Sequence, residues 1–218
     1  MDALRGVYPR VVLDVELYRP KTGRRGRAGF FHSRLVAVGL AVQEAPGRAW
    51  VEVLHGDDEA GLVRSLLARL ERVAARGRRP LLAGYNILSL DLPVVLSKAY
   101  EHLGPGEARR AAGLLYRRFL VFDMFQHALG GYTGTGLPGF RWLYHRLACT
   151  HGLPEPDKGS GYDVHRLYEE GRTGEIVEYS RLDAALHLAA LAALLDGGSE
   201  ARRILEALGI GGPTPECR

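Results

Sequence analysis

Residues 11 to 17 read VVLDVEL, and this short run constrains the fold more than any other in the chain. Its apolar residues require a strand buried on at least one side. Side chains on a strand alternate between faces, so Val12, Asp14 and Glu16 share one face, and Val11, Leu13, Val15 and Leu17 share the other. An unpaired carboxylate in a dry interior costs several kcal/mol, on the order of the desolvation of a charge. The strand therefore needs a neighbourhood that is apolar on one side and accepts two negative charges on the other. Two readings meet that demand: an edge strand with a wet face, or two carboxylates about 7 Å apart that hold a hard divalent cation through oxygen.

The elements around this strand set the fold class. Arg10 to Tyr18 reads as the first strand, followed by RPKTGRRGRAG from Arg19 to Gly29, a breaker-rich loop with five basic residues and no acid. FFHSRLVAVGLAVQ and Trp50 to Leu54 follow as strands, giving an antiparallel start. Asp57 or Asp58 suits the cap of a helix carrying Leu62, Leu66 and Leu70 at helical spacing to about Arg76. Leu81 to Tyr85 reads as a strand, about Asp91 to Leu103 as a helix and Arg118 to Phe122 as a strand. GGYTGTGLPGF reads as a loop before a helix over Arg141 to Ala148. A long helix begins at Thr173 and ends near Leu195, apolar all round its second half and so buried, and a last helix covers about 199–210. Three strands, then strands alternating with helices, imply an α/β fold with a mixed sheet, antiparallel first and then parallel, flanked by helices. A chain of 218 residues suits one domain, 1–218, with a motif-bearing core over about 10–195.

Two further segments place acids where the pattern calls for apolar residues. In AGYNILSLDLPVVLSKA, Asn86 ends a strand and Asp91 stands in the first turn of a helix, where Pro93 is tolerated. Asp91 would also serve as a plain cap there. Asn86 is the sole Asn of the chain. In VEYSRLDAALHLAAL, Tyr179 and Asp183 lie four apart, one turn from each other on one helix face. A structural carboxylate paired with an Arg is the alternative reading of Asp183.

Together these residues resemble the DEDD superfamily of 3′–5′ exonucleases, which have a ribonuclease-H-like fold. The resemblance covers roughly residues 10 to 195. It runs through D-x-E (Asp14, Glu16), N-x4-D (Asn86 to Asp91) and Y-x3-D (Tyr179, Asp183); the last marks the tyrosine subgroup, since the histidine subgroup's position is Glu178 here. The segment KGSGYDVHRLYEEGRTGEIVEYSRLD is similar to the approach to the third motif in proofreading domains of family B DNA polymerases. Leu17, Leu90 and Ser180 depart from the usual pattern, where a small residue, an aromatic and Cys are common. The resemblance implies two ions, Mg²⁺ or Mn²⁺, held by Asp14, Glu16, Asp91 and Asp183. It implies that Asp14 bridges them, that Tyr179 orients the attacking water, and that nucleoside 5′-monophosphates leave from DNA 3′ ends, single-stranded or frayed. An RNA 3′-end trimming enzyme and a non-catalytic nucleic-acid-binding replication or repair accessory module are the alternatives.

Other residues carry weaker signals. Leu17, Asn86, Lys158 and Tyr162 are the candidates for contact with substrate, the last two through a phosphate and a stacked base. The basic loop 19–27 reads either as a solvated hairpin tip or as a grip on phosphates. His187, one turn beyond Asp183, reads as a packed helix histidine, and Asp123 as a cap. His145, His151 and His165 show no ligand spacing. The formal charge of +4 leans toward a polyanion. Nucleic acid is the expected partner, single-stranded DNA first and RNA second, with a separate DNA polymerase or repair protein as a further one. Basic residues other than Lys21, Lys98 and Lys158 are all Arg, and amides are scarce, as in thermophiles or GC-rich genomes. MDALRGVYPR lacks the apolar core of a signal peptide, and the run Ala184 to Leu195 is too short to span a bilayer. Cys149 and Cys217 form no spacing motif, from which a reducing compartment and no disulfide framework are expected. Those features together point to the cytoplasm, with no membrane partner.

Overall fold

A computed structural model describes residues 2–19, 29, 31–76, 79–128, 139–157, 159–161 and 163–217. Strand β1 (Arg10–Tyr18) pairs antiparallel with β2 (Arg34–Ala45), which pairs antiparallel with β3 (Arg48–His55). On its other side β1 pairs parallel with β4 (Leu81–Gly84), and β4 pairs parallel with β5 (Leu120–Asp123). The sheet order is β3-β2-β1-β4-β5, so the acid-bearing strand is central. This is the expected mixed sheet, antiparallel first and then parallel.

The alternation read from VVLDVEL divides two apolar layers. Val11, Leu13 and Val15 pack with Leu40 and Leu82 against helices α1 (Glu59–Ala74) and α2 (Asp91–Leu103). Val12 packs with Ala41, Leu81 and Ala83 on the opposite face. That face is covered by α5 (Phe140–His151), α7 (Thr173–Asp196) and α8 (Gly198–Ala207). The cost of ordering this backbone is met chiefly by burial of apolar area on both faces, about 25 cal/mol per Å².

Several elements go beyond the periodicity. Helix α3 (Pro105–Gly113) starts at a proline, which suits a first helical turn, and ends in a π-turn over Leu114–Arg118. The fifth strand consequently begins at Leu120 rather than Arg118. Short helix α4 (Met124–Ala128) follows Asp123, as the cap reading of that residue requires, whereas α6 (Asp163–Glu169) was not anticipated. Asp58 stands at the N-cap of α1 through its backbone, its carbonyl accepting the Leu62 N–H at 2.9 Å, with no side-chain cap bond.

The cysteines overturn an expectation. Cys149 of α5 and Cys217 are joined by a disulfide, with Cα atoms 5.5 Å apart across 68 residues. Local spacing is blind to a bridge that tertiary packing brings together. The neighbouring segment lies alongside residues 154–157: the Glu155 N–H donates to the Pro213 carbonyl at 2.9 Å. Cysteine usage therefore gives no ground for a reducing compartment. No helix among the described residues is long and apolar enough to cross a membrane.

Candidate active site

Three elements deliver the acids. Asp14 and Glu16 project from β1 on the side facing α7, opposite Gly39 and Ala37 of β2. Residues Ala37, Gly39 and Ala41 are all small, and α7 lies close over them. A Cβ placed on Gly39 would stand 2.9 Å from the Ser180 carbonyl and 3.0 Å from the Ala184 Cβ. The missing side chain lets α7 settle on the strand that pairs with Asp14. Asp183 is thereby carried to Asp14, and atoms of Asp14, Asp183 and His187 lie within 4.8 Å of one another.

Asp91 arrives from the other side of β1. It opens α2 as its first residue, and its Oδ1 accepts the Val15 N–H at 3.0 Å. Its side chain is not the helix cap, a position held by Leu90, but is tied to the strand between the two other acids. Asp91 is only 2% exposed. Burial, opposed by the Val15 N–H and its own backbone N–H, lifts its carboxyl to about 7, and the charges of Asp123 and Asp183 add to the rise.

The turn before α2 explains the lone asparagine. Asn86 has φ of 62°, a left-handed conformation that Asn tolerates better than most residues. Its carbonyl accepts the N–H groups of Ser89 and Leu90, each at 3.1 Å. Asp123, at the end of β5, holds this turn from below. It accepts from Asn86 N at 3.0 Å and Leu88 N at 3.1 Å, and also from Phe125 N at 3.0 Å. The cap reading of Asp123 is right for α4, yet the same carboxylate also braces the turn that presents Asp91. Two parallel strands ending side by side create that double role, which no local pattern reveals.

Helix α7 carries the remaining groups. The Tyr179 hydroxyl donates to Asp183 Oδ2 at 3.0 Å. Burial raises the Tyr179 pKa well above that of free tyrosine, and the charges of Asp183, Glu16 and Asp14 raise it further, so the phenol stays an O–H donor at neutral pH. One turn on, His187 is buried and stacked on Phe140 with ring centroids 3.6 Å apart, as a packed histidine would be. Its Nδ1 also stands 3.6 Å from Asp183 Oδ1, at the carboxylates rather than away from them.

The structure thus gathers Asp14, Glu16, Asp91, Tyr179 and Asp183. Leu17 lies on the opposite face of β1 with the α1 and α2 layer. Lys158 and Tyr162 lie outside the described residues, as does the basic loop beyond Arg19 and most of the loop before α5. A groove of about 360 Å³ opens beside Tyr179, lined among others by Asp157, Gly159, Asp163, Arg166 and Arg181. His145 bonds Glu155 at 2.8 Å, and His165 Nδ1 accepts the Arg19 N–H at 3.1 Å; each has a structural partner. Asp14, Asp183 and His187 bring possible ligand atoms within 4.8 Å of one another, and the carboxylate oxygens among them suit a hard divalent cation.

No family model matches the chain, and no curated protein matches it. Among solved structures, it is similar to the family B DNA polymerase from the hyperthermophilic archaeon Pyrobaculum calidifontis. The TM-score is 0.60 at 15% identity, over 96% of this chain and 30% of that one. E. coli exonuclease I in complex with a 5cy-dA13 oligonucleotide aligns less well, with a TM-score of 0.45 at 14% identity over 86% of this chain and 41% of that one. The chain therefore spans less than half the length of either protein. The polymerase similarity shows a shared fold, the ribonuclease-H-like α/β sheet.

Proposed function

We propose that the chain is a metal-dependent 3′–5′ exonuclease domain that releases nucleoside 5′-monophosphates from single-stranded or frayed DNA 3′ ends. One observation carries this reading: four carboxylates from β1, α2 and α7 converge, with a tyrosine hydroxyl donating into them, on a sheet of ribonuclease-H-like order. The protein whose fold this chain shares at a TM-score of 0.60 is a DNA polymerase, which agrees with this reading.

Asp14, Glu16, Asp91 and Asp183 would hold two divalent ions, Mg²⁺ or Mn²⁺. Such ions, when bound, activate water and offset charge on a phosphodiester in displacement. The protein's own part is positional. Asp14, whose carboxylate lies beside Asp183, would be the ligand shared by the two ions. Asp91 is fixed by the Val15 N–H. Tyr179, held protonated by burial, offers its O–H to orient the attacking water once it turns from Asp183. Asn86, Lys158 and Tyr162 are assigned to the terminal nucleotide. A cytoplasmic, thermophilic setting accommodates both the scarcity of amides and the disulfide, because intracellular proteins of hyperthermophiles carry such bridges.

The test uses 5′-labelled single-stranded DNA, duplex DNA and RNA, each with Mg²⁺, Mn²⁺ or EDTA. A ladder shortening from the 3′ end of single-stranded DNA, absent in EDTA, is expected. Faster shortening of RNA would reassign the substrate. Binding without cleavage would make the domain an accessory module.

A further inference from the structure

We propose that His187 is a nitrogen ligand of the metal site, and that it biases the site toward transition metals such as Mn²⁺ over Mg²⁺. This inference rests on the metal-site reading above and deepens it.

Distance carries the argument. His187 Nδ1 and Asp183 Oδ1 are 3.6 Å apart. That is too long for a hydrogen bond, whose N···O distance is about 2.7–3.2 Å. It is the spacing of a loose i,i+4 ion pair, and it also suits two atoms that share an ion: ligands about 2.1 Å from a metal stand about 3 Å apart at right angles and about 4 Å apart when opposed. Asp14 completes the group, with all three ligand atoms within 4.8 Å of one another. Small side-chain adjustments bring that outer limit into coordination range.

The surroundings fix the imidazole in place. His187 is 3% exposed and lies against Phe140 with a 31° tilt between the rings. Its position four residues after Asp183 puts both groups on one helix face. An imidazole among carboxylates changes which cations are favoured. Mg²⁺ takes oxygen ligands and keeps its waters, whereas imidazole suits later divalent ions, and Mn²⁺ accepts both kinds of ligand.

The experiment needs neither nucleic acid nor turnover. Mn²⁺ and Mg²⁺ are titrated separately into the metal-free protein, and the Mn²⁺-loaded protein is examined by electron spin-echo envelope modulation. Nitrogen coupling to Mn²⁺ is expected in the wild type. In His187→Phe, which keeps the stack on Phe140, that coupling should vanish. Mn²⁺ affinity should then fall about tenfold or more while Mg²⁺ affinity changes far less. His187→Asn serves if the Phe variant does not fold, and the wild-type spectrum needs no variant. Mn²⁺ that binds, is lost in Asp14→Ala, and shows no nitrogen coupling would overturn the role of His187 and leave the proposed function standing. Absence of Mn²⁺ binding by the wild type would overturn both.

Discussion

Asp91 Oδ1 accepts the backbone N–H of Val15 at 3.0 Å, which locks the first residue of α2 to the strand segment between Asp14 and Glu16. The hydrogen bond makes the spacing of the acids a property of the backbone rather than of flexible side chains. It also keeps a carboxyl in a place where burial disfavours its charge.

That conflict predicts a pH dependence. Burial lifts the folded Asp91 carboxyl to about 7, whereas an unfolded Asp titrates near 4 (about 3.9). Between these values the folded state holds a proton that the unfolded state has released, so this group's contribution falls as pH rises through the window. Thermal melts in EDTA should show Asp91→Asn gaining stability relative to wild type from about pH 4 to 7, and added Mn²⁺ should reverse the difference. A difference independent of pH would refute the protonated resting state.

The acids and the tyrosine should separate by severity. Asp14→Ala and Asp183→Ala should each lower 3′-end cleavage by about 10³-fold or more while leaving the circular dichroism spectrum unchanged. Tyr179→Phe removes one hydroxyl and should be milder, about 10²-fold. Equal damage from all three would contradict a water-orienting tyrosine.

Asp123 should matter although it stands behind the acids. It accepts backbone N–H groups from both the Asn86 turn and α4. Asp123→Ala leaves three backbone donors without their acceptor, that of Phe125 in a buried position, and should cost about 1–3 kcal/mol in denaturant unfolding. Mn²⁺ affinity should weaken as well, because the turn sets the position of Asp91. Unchanged affinity in a destabilised variant would confine Asp123 to a structural role.

Gly39→Ala tests the approach of α7. The added methyl group meets the Ser180 carbonyl at 2.9 Å. Moving the helix should cost about 1–3 kcal/mol and reduce metal affinity by separating Asp183 from Asp14. Wild-type affinity in this variant would mean that the helix yields without disturbing the acids.

The disulfide should be a stabiliser. Reduction, or Cys217→Ser, should lower stability by about 2–4 kcal/mol, given the long loop that the bridge closes. Identical melting of reduced and oxidised protein would show that the 213–217 segment holds its place without the bridge.

The sequence was most legible where a chemical group interrupts a strong period. Asp14 and Glu16 stood out because β1 is otherwise apolar, and the bounds of β1 and α2 match those read from their patterns. Asp183 stood out for the same reason in α7. What escaped notice depends on partners distant along the chain. Asp123 meets Asn86 across 37 residues, and Cys149 meets Cys217 across 68. Gly39 resembles any small strand residue until α7 lies on it. His187 fits the packed role its helix suggests, and only the fold brings Asp14 within reach of it. Helix α3 is weakly apolar, so its period is faint.

Helix α7 also acts as a ruler. Tyr179, Asp183 and His187 are mounted on one continuous 24-residue rod at steps of four residues. Each step advances about 6 Å along the axis, at 1.5 Å per residue. Hydroxyl, carboxylate and imidazole therefore cannot be retuned one at a time by shifting the backbone. Inserting one residue between Tyr179 and Asp183 would swing everything beyond it by about 100° relative to the tyrosine. The graduations are set by helix pitch, which leaves side-chain replacement as the route by which such a site can change its metal or its substrate.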